Sequence, residues 1–254
     1  MASLGPQIGW NEAGIGAIRV ATRRTGTLTA RDLAGLSRDL YADAAPLMRT
    51  LQRWRPYICP FENLLPFVPE NATVLDVGCG SGLFLGLLVA SGHDIASGVG
   101  FDASPDAIDA AQHMARVVER REGRAVLAFH RLDVAAPWPA GPFDVVAIID
   151  VIHHVPPGQQ SSVLEAASSR VAPGGVLIYK DMCRRPLWRA GMNRLHDIVL
   201  ARQWIHYLPI DEAERCLCAT GLRVRHRATA NRVWYGHELL VFDKPERAAT
   251  PSAG

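Results

Sequence analysis

Apolar, strand-like segments alternate with helix-like segments through the middle of this 254-residue chain, and this alternation limits the fold more than any other feature. The first strand is predicted near Thr73 to Val77, and the segment LFLGLLVASG after it indicates a buried helix that ends at Gly92. Further strand-like segments follow in the order DIASGVGFD, AVLAFHRLD, FDVVAIIDV and VLIYKDM. Strands that alternate with helices in this way predict an α/β fold with a Rossmann-like, doubly wound and mostly parallel sheet.

The segments on either side of this pattern predict additions to the sheet. LRVRHRATA and VWYGHELLVFDKP indicate two final strands, paired as an antiparallel hairpin that completes a seven-stranded sheet. From Thr29 to Trp54 the leucines recur at the spacing of an amphipathic helix, with Thr29 and Asp32 placed to cap it. We predict an N-terminal helical extension or lid (1–55), a core domain (56–245) with a helical insertion at about 184–209, and a disordered tail (246–254).

The composition is that of a folded, water-soluble protein and argues against several partners. Apolar residues make up 48% of the chain and charged residues 20%, and a formal charge of +2 is too small to indicate nucleic acid by itself. The five cysteines form no CxxC pair, which favours free thiols. No signal-peptide pattern is visible, and no apolar run approaches the ~20 residues of a membrane span. We expect a cytoplasmic protein without a membrane span or a nucleic-acid partner, and the oligomeric state stays open.

The stretch VLDVGCGSG places an acid and three alternating glycines directly after the first strand. Glycines there permit a tight turn and close approach of a ligand to the backbone, while the next helix offers free N–H groups. Asp102 ends the second strand, where a carboxylate can accept hydrogen bonds from ribose hydroxyls. Asp133 closes the third strand, where it could accept from an adenine amino group. Together these features indicate an adenosine-like ligand.

The glycine spacing separates two ligand classes. G-x-G-x-G after Asp76 differs from the dinucleotide pattern G-x-G-x-x-G, so an NAD(P) site is the weaker alternative. Residues 70–182 and the closing hairpin resemble class I S-adenosylmethionine-dependent methyltransferases of the small-molecule type, and FDVVAIIDVIHHVPP and RVAPGGVLIYKD resemble two more motifs of that family. The resemblance implies S-adenosyl-L-methionine as cofactor, with its methionine end at the glycine turn. From the resemblance and from position, the cofactor-binding residues are Asp76, Gly78, Gly80, Gly82, Asp102, Ala103, Asp133, Val134, Asp150, Val151 and Tyr57, with Arg55 as an alternative contact to the methionine carboxylate.

Methyl transfer to a hydroxyl group needs an aligned nucleophile and a base that removes its proton. His154 and His153 follow the fourth strand directly, and we name both as candidate catalytic residues, His154 first. The alternative is that one of them packs or caps the next helix.

The aromatic and basic segment after the fifth strand predicts the acceptor pocket. Aromatic rings there could stack on a flat substrate, although they could equally pack the insertion onto the sheet. The candidate substrate-binding residues are Trp188, His196, Trp204, Tyr207 and Tyr235, with Asp181, His206 and His237 as further polar candidates. Five arginines from Arg184 to Arg202 stand against one acid, Asp197, and could bind a carboxylate or the phosphate of a carrier-bound substrate; a solvated helical face is the alternative.

We therefore expect transfer of a methyl group to a small-molecule acceptor, at an oxygen of a phenolic or carboxylic metabolite, free or carrier-bound. The alternatives are a nucleic-acid or protein methyltransferase and a non-catalytic protein that binds S-adenosylmethionine. The first is disfavoured because DVIHHVPP lacks the Asp/Asn-Pro-Pro-aromatic run of amino-methylating nucleic-acid enzymes. We predict no metal, although Asp150, Asp181 and Asn193 could supply oxygen ligands in a metal-dependent, catechol-type variant.

Overall fold

The computed structural model of the chain describes residues 28–182, 206–232 and 235–246, without the side chain of Tyr235. Seven strands lie in this part of the chain: β1 (Ala72–Val77), β2 (Ile95–Asp102), β3 (Leu127–Arg131), β4 (Phe143–Ile149), β5 (Val171–Met182), β6 (Arg223–Arg232) and β7 (Tyr235–Asp243). They form one sheet in the order β3-β2-β1-β4-β5-β7-β6. The first five strands pair in parallel, while β7 runs antiparallel to both β5 and β6. The predicted doubly wound sheet with its C-terminal antiparallel hairpin is confirmed.

Helices cover both faces of the sheet. Those of the described residues are α1 (Ala30–Leu40), α2 (Pro46–Ile58), α3 (Leu83–Ala90), α4 (Pro105–Glu122), α5 (Pro157–Arg170) and α6 (Ile210–Ala219). Side chains of a strand alternate between faces, so Val74 joins an apolar cluster with α1, α3 and α4, while Leu75 joins a second cluster with α5 and α6. The sheet is therefore buried on both sides, as an α/β fold requires. The four cysteines among the described residues are all free.

The helix start predicted at Thr29 is confirmed, and Ser104 begins a second helix with a side-chain cap. Thr29 caps α1 by accepting a hydrogen bond from the backbone of Asp32, whose side chain accepts from Thr29 in return. Ser104 caps α4 in the same way through Ala107, with Pro105 at the first helical position.

The leucine-rich segment after Thr29 forms two helices, whereas its spacing predicts one. Proline lacks a backbone N–H and is best tolerated in the first turn of a helix, and Pro46 accordingly begins α2 after a turn that closes α1. The break changes which leucines face the core: Leu33 and Leu40 are buried, but Leu47 and Leu51 are exposed.

The segment APGG of the motif RVAPGGVLIYKD forms a wide irregularity inside β5. Val171 pairs with Phe143, yet the next paired residue, Val176, already faces Val145. Gly174 lies in this interval with φ +76°, a left-handed conformation that favours glycine. Most of the predicted insertion (184–209) lies outside the described residues, as do 1–27 and the tail from 247. The domain boundaries stay predictions, and α2 runs across the one placed after residue 55.

Candidate functional site

The glycine turn after β1 lies against Val151, two residues beyond the end of β4. Gly78, Gly80 and Gly82 all have positive φ (63°, 53° and 81°), so each adopts a conformation that side chains disfavour. A Cβ atom at Gly78 would lie 2.6 Å from Cγ2 of Val151, which means the turn packs directly on that side chain. At Gly80, by contrast, no atom of the described residues lies within 4 Å of such a Cβ, so the turn encloses open space there.

Asp76 is an acid enclosed at the base of this turn. It is only 2% exposed, and burial together with the nearby Asp102 carboxylate raises its pKa well above 3.8. Within the described part of the chain, no hydrogen-bond donor or cation contacts its carboxylate. A cationic group bound in the turn would relieve this cost, so the turn fits a ligand that carries positive charge.

Asp102, at the end of β2, is fixed by two backbone groups. Its Oδ2 accepts from the N–H of Gly80 at 3.0 Å and its Oδ1 accepts from the N–H of Ser104 at 2.9 Å. Each carboxylate oxygen can accept more than one hydrogen bond, so a ribose diol can still be bound. Asp133 lies just beyond β3, is exposed, and accepts from the N–H of Ala135 at 2.8 Å.

The predicted neighbours of these two acids, Ala103 and Val134, follow them along the same rim. Ala103 is exposed and Val134 is half-buried. The structure therefore brings the predicted turn, ribose and adenine positions to one edge of the sheet, at the carboxyl ends of β1, β2 and β3.

Asp150, directly after β4, carries the densest charge cluster of this edge. Its Oδ1 accepts from Nζ of the buried Lys180 at 2.6 Å, and its Oδ2 accepts from Nη2 of Arg55 at 3.2 Å. Burial alone would raise the pKa of Asp150, but the two cations outweigh it and hold this pKa well below 3.8. The carboxylate is thus ionised between two positive groups.

The N-terminal helices contact the glycine turn as well as Asp150. The buried Tyr41, at the end of α1, donates its hydroxyl to the backbone oxygen of Ser81 at 2.7 Å. The half-buried Tyr57 packs its ring against Trp54, with centroids 5.4 Å apart. On α2 it is Arg55 that reaches Asp150, so the predicted Tyr57 contact stays a prediction.

The two histidines after β4 occupy different surroundings. His153 is 1% exposed, and its Nδ1 forms a short hydrogen bond with Asp181 of β5, whose other oxygen accepts from the His153 backbone N–H. His154 is exposed, and its ring lies beside that of His153 with centroids 4.1 Å apart. The backbone N–H of His206 donates to the backbone oxygen of His153, which ties this turn to the chain after the insertion.

Three of these side chains carry atoms of the kind that bind metal ions. Ligand atoms of Asp150, His153 and Asp181 lie within 4.8 Å of one another. As placed, however, Asp150 is neutralised by Lys180 and Arg55, and Asp181 is bound to His153. The group therefore satisfies its charges without an ion, and the third predicted oxygen ligand, Asn193, lies outside the described residues.

The predicted acceptor residues are only partly described. Trp188, His196 and Trp204 lie outside the described residues, as does the side chain of Tyr235, while Tyr207 is half-buried just after the insertion. His237 of β7 is buried, and burial together with Lys180 lowers its pKa to about 3, so it is neutral at pH 7.

Sequence reasoning did not find Lys180 or Tyr41 as site residues. The signal for Lys180 is a lone basic residue near the end of an otherwise apolar strand, VLIYKDM, where a buried charge needs a partner. Tyr41 has no comparable signal, because its contact with Ser81 spans 40 residues of sequence.

Comparisons with known proteins bear on this site. Residues 50–227 match the model of a family described as "Methyltransferase domain". A relative named "Ubiquinone biosynthesis O-methyltransferase" from Acinetobacter baylyi is 30% identical over 115 residues, which cover 44% of this chain and 44% of the relative. The matched part thus spans less than half the length of that relative.

Solved structures share the fold at low identity. An O-methyltransferase family protein from Burkholderia thailandensis superposes with a TM-score of 0.60 at 20% identity, covering 89% of this chain and 66% of that one. A magnesium protoporphyrin IX methyltransferase from Synechocystis, solved with bound S-adenosylmethionine, superposes with a TM-score of 0.58 at 17% identity. The match covers 83% of this chain and 90% of that one. Among the described helices, none is both long enough and apolar enough to cross a membrane.

Proposed function

The chain belongs to the methyltransferase-domain family, and from this premise we propose that it transfers a methyl group from S-adenosylmethionine to an oxygen of a small molecule. The observation that carries the proposal is the pairing of opposite charges across the glycine turn. A buried carboxyl group, Asp76, lies at the end of β1, and two cations, Lys180 and Arg55, meet at Asp150 after the neighbouring strand β4.

This distribution is complementary to the methionine end of the cofactor, which carries an ammonium and a carboxylate. Asp76 would bind the ammonium, because the pKa of this buried acid is raised and a cation beside it favours ionisation. Arg55 would bind the carboxylate, because its partly exposed guanidinium lies at this edge of the sheet, where Lys180 also pairs with Asp150. Asp102 and Asp133 would accept from the ribose and the adenine.

When bound, S-adenosylmethionine supplies a methyl group on a positively charged sulfur. The chain's own residues then have to orient the acceptor, exclude water and take its proton. We assign the proton to His153, because Asp181 accepts at Nδ1 and so directs Nε2 to act as the base. This choice reverses the order given from sequence, where His154 came first.

The oxygen acceptor is supported by the relatives named "Ubiquinone biosynthesis O-methyltransferase". A phenolic acceptor, as expected from the sequence, would lose a proton on methylation, which gives His153 its role. A carrier-bound acceptor remains the less supported form of the proposal, since the arginines that favour it lie outside the described residues. The proposal assigns no metal.

Calorimetry with S-adenosylhomocysteine tests the cofactor site directly. Asp102→Ala is expected to weaken binding by about 1–3 kcal/mol through loss of charge-assisted hydrogen bonds. Arg55→Gln is expected to weaken it as well, whereas Arg53→Gln, an exposed change two residues earlier on α2, is the matched control. Absence of binding to the unaltered chain would remove the cofactor assignment.

A second assay separates an enzyme from a protein that only binds the cofactor. The chain is incubated with S-adenosylmethionine and a panel of catechols, phenols and aromatic carboxylates, and methylated products are sought by mass spectrometry. Methylation of an oxygen supports the proposal, and its continuation in the presence of EDTA supports the metal-free form. Methylation of RNA or protein with every small acceptor inert would favour the alternative class.

A further inference from the structure

Helix α2 presents an apolar stripe to solvent. Leu47, Leu51 and Trp54 are 71%, 47% and 56% exposed, and they stand at positions i, i+4 and i+7, which lie on one face of a helix. Met48, on a neighbouring face of α2, packs against the core. Scattered exposed leucines are common on proteins, but three large apolar side chains aligned on one helix face mark an interaction surface.

Positive charge flanks this stripe. Arg49 and Arg53 of α2 and Arg38 of α1 line a concavity of about 470 Å³ together with Trp54. Asp39 is the acid in its lining and is engaged by Arg38 at 2.8 Å, and Asp43 lies in the turn before α2. Helix α2 itself contains no acidic residue. The surface thus combines a tryptophan and two leucines with an excess of guanidinium groups.

We propose that this face of α2 docks on the surface of an anionic phospholipid bilayer. Helices that lie in a membrane interface bury leucine and tryptophan at the acyl boundary and direct arginines toward the headgroups. Each basic residue near an anionic leaflet strengthens the attraction, and the arginine-lined concavity beside Trp54 is suited to a headgroup phosphate. The chain would bind peripherally, and the inference does not depend on the proposed methyl transfer.

Charge argues against occupants from the chain itself. A symmetric contact with a second copy would bring Arg49 and Arg53 of both copies into one interface, where like charges repel. The two long segments outside the described residues are also basic in sequence. Residues 183–205 hold five arginines and one acid, and residues 1–27 hold three arginines and one acid. An anionic partner from outside the chain complements the surface better than any of these.

The position of the stripe connects it to the site. Leu51 and Arg55 stand four residues apart and are therefore neighbours on the helix surface. Arg55 points from there to Asp150 at the carboxyl edge of the sheet. A chain docked through α2 would therefore hold this edge of the sheet near the bilayer.

Co-sedimentation with vesicles tests the proposal. The full chain is mixed with vesicles of phosphatidylcholine alone or of phosphatidylcholine with phosphatidylglycerol, and the bound fraction is measured against lipid concentration. We expect binding to the anionic vesicles that weakens with added salt. The triple change L47Q, L51Q, W54Q should abolish it, and R49Q with R53Q should weaken it by roughly fivefold for each arginine.

Matched controls separate this surface from general charge or hydrophobicity. R116Q with R120Q removes two exposed arginines four residues apart on α4, and V224Q removes an exposed apolar residue on β6; both should leave binding unchanged. Far-ultraviolet circular dichroism and S-adenosylhomocysteine binding verify that each variant is folded. Absence of binding to anionic vesicles overturns the proposal, as does equal binding by the α2 triple variant. Should that variant instead lose self-association in sedimentation velocity while vesicle binding persists, the face is a dimer contact.

Discussion

The Nζ atom of Lys180 lies 2.6 Å from Oδ1 of Asp150, and this ion pair joins β5 to β4 at the carboxyl edge of the sheet. The Lys180 side chain is fully buried and that of Asp150 is 9% exposed. Asp150 also has φ +57°, a conformation that residues other than glycine adopt at a cost. The pair therefore fixes a strained residue at the point where β4 leaves the sheet.

Replacing one partner of this pair should destabilise the fold. Lys180→Met leaves the buried Asp150 carboxylate with only the partly exposed Arg55, and we expect a loss of about 3 kcal/mol in the free energy of unfolding. The pKa of Asp150 is lower in the folded state than its ordinary 3.8, so the stabilisation is present above that pH and is lost as the pH falls. Urea unfolding at a series of pH values measures both effects.

The double variant Lys180→Met with Asp150→Asn is the control for this prediction. It removes the charge that the single change leaves uncompensated, and so most of the stability should return. Arg55→Gln alone should cost at most about 1 kcal/mol, because that side chain is 44% exposed. A single Lys180→Met variant as stable as the unaltered chain would contradict the assignment of the pair.

Replacing Asp76 should stabilise the fold and weaken cofactor binding. Burial and the nearby Asp102 carboxylate raise the pKa of Asp76, so ionising Asp76 is less favourable in the folded chain than in the unfolded chain, and Asp76→Asn removes this cost. We expect the variant to have the higher free energy of unfolding at neutral pH. The same change should weaken S-adenosylhomocysteine binding by about tenfold or more, through loss of a charge-assisted hydrogen bond.

The pH dependence of this gain has a definite sign. Above pH 3.8 the unfolded chain releases the proton of Asp76 while the folded chain retains it, so this group's contribution to stability falls as the pH rises toward the folded pKa. The advantage of Asp76→Asn should therefore grow over that interval and then level off. A variant that is less stable at pH 7 would show that the carboxylate has a partner in the folded protein.

Removing the proposed base should slow methyl transfer without affecting the cofactor. His153→Asn retains a donor to Asp181 but has no group that can accept a proton, so we expect kcat to fall by about 10²–10⁴. Asp181→Asn should also reduce kcat, because it removes the group that directs the imidazole. Affinity for S-adenosylhomocysteine, measured by calorimetry, should stay unchanged in both variants.

His154→Asn is the matched control, one residue along and exposed. His154→Asn should change the free energy of unfolding by no more than the ±0.5 kcal/mol that is usual for surface positions, and it should leave kcat close to that of the unaltered chain. If the large loss instead follows His154, that residue is the base and the pair of His153 and Asp181 is structural. Unaltered rates in both variants would mean that alignment alone drives the transfer.

The parts of the fold that sequence predicted correctly rest on local signals. The alternation of strands and helices, the cap at Thr29, and the acids at strand ends follow from periodicity, from side-chain chemistry a few residues apart, and from the rule that parallel strands bind ligands at their carboxyl ends. The break at Pro46 was also a local signal, but the regular leucine spacing concealed it.

The remainder depends on contacts between distant segments. Nothing near Lys180 in the sequence indicates that Asp150, 30 residues earlier, would neutralise it, or that Arg55, 95 residues before Asp150, would join the cluster. The two vicinal histidines could not be ranked from sequence either, because only the register of β5 places Asp181 beside His153. Buried ion pairs are thus the part of this site that requires a structure.

Changing the glycines of the turn to alanine should affect stability at one position and ligand affinity at another. Both Gly78 and Gly80 have positive φ, which costs an alanine roughly 1–2 kcal/mol. At Gly78 the new Cβ would also lie 2.6 Å from Val151, so Gly78→Ala should cost a further 1–3 kcal/mol or so, and Val151→Ala in the same chain should restore part of it. At Gly80 the Cβ meets no atom of the described residues within 4 Å and enters the open space of the turn. Gly80→Ala should therefore lose less stability than Gly78→Ala but bind S-adenosylhomocysteine less tightly than the unaltered chain, because the methyl group occupies space that the ligand requires. Thermal unfolding and calorimetry on the same two variants distinguish these effects, and equal losses of stability with equal affinities would mean that the turn is only a connection between β1 and α3.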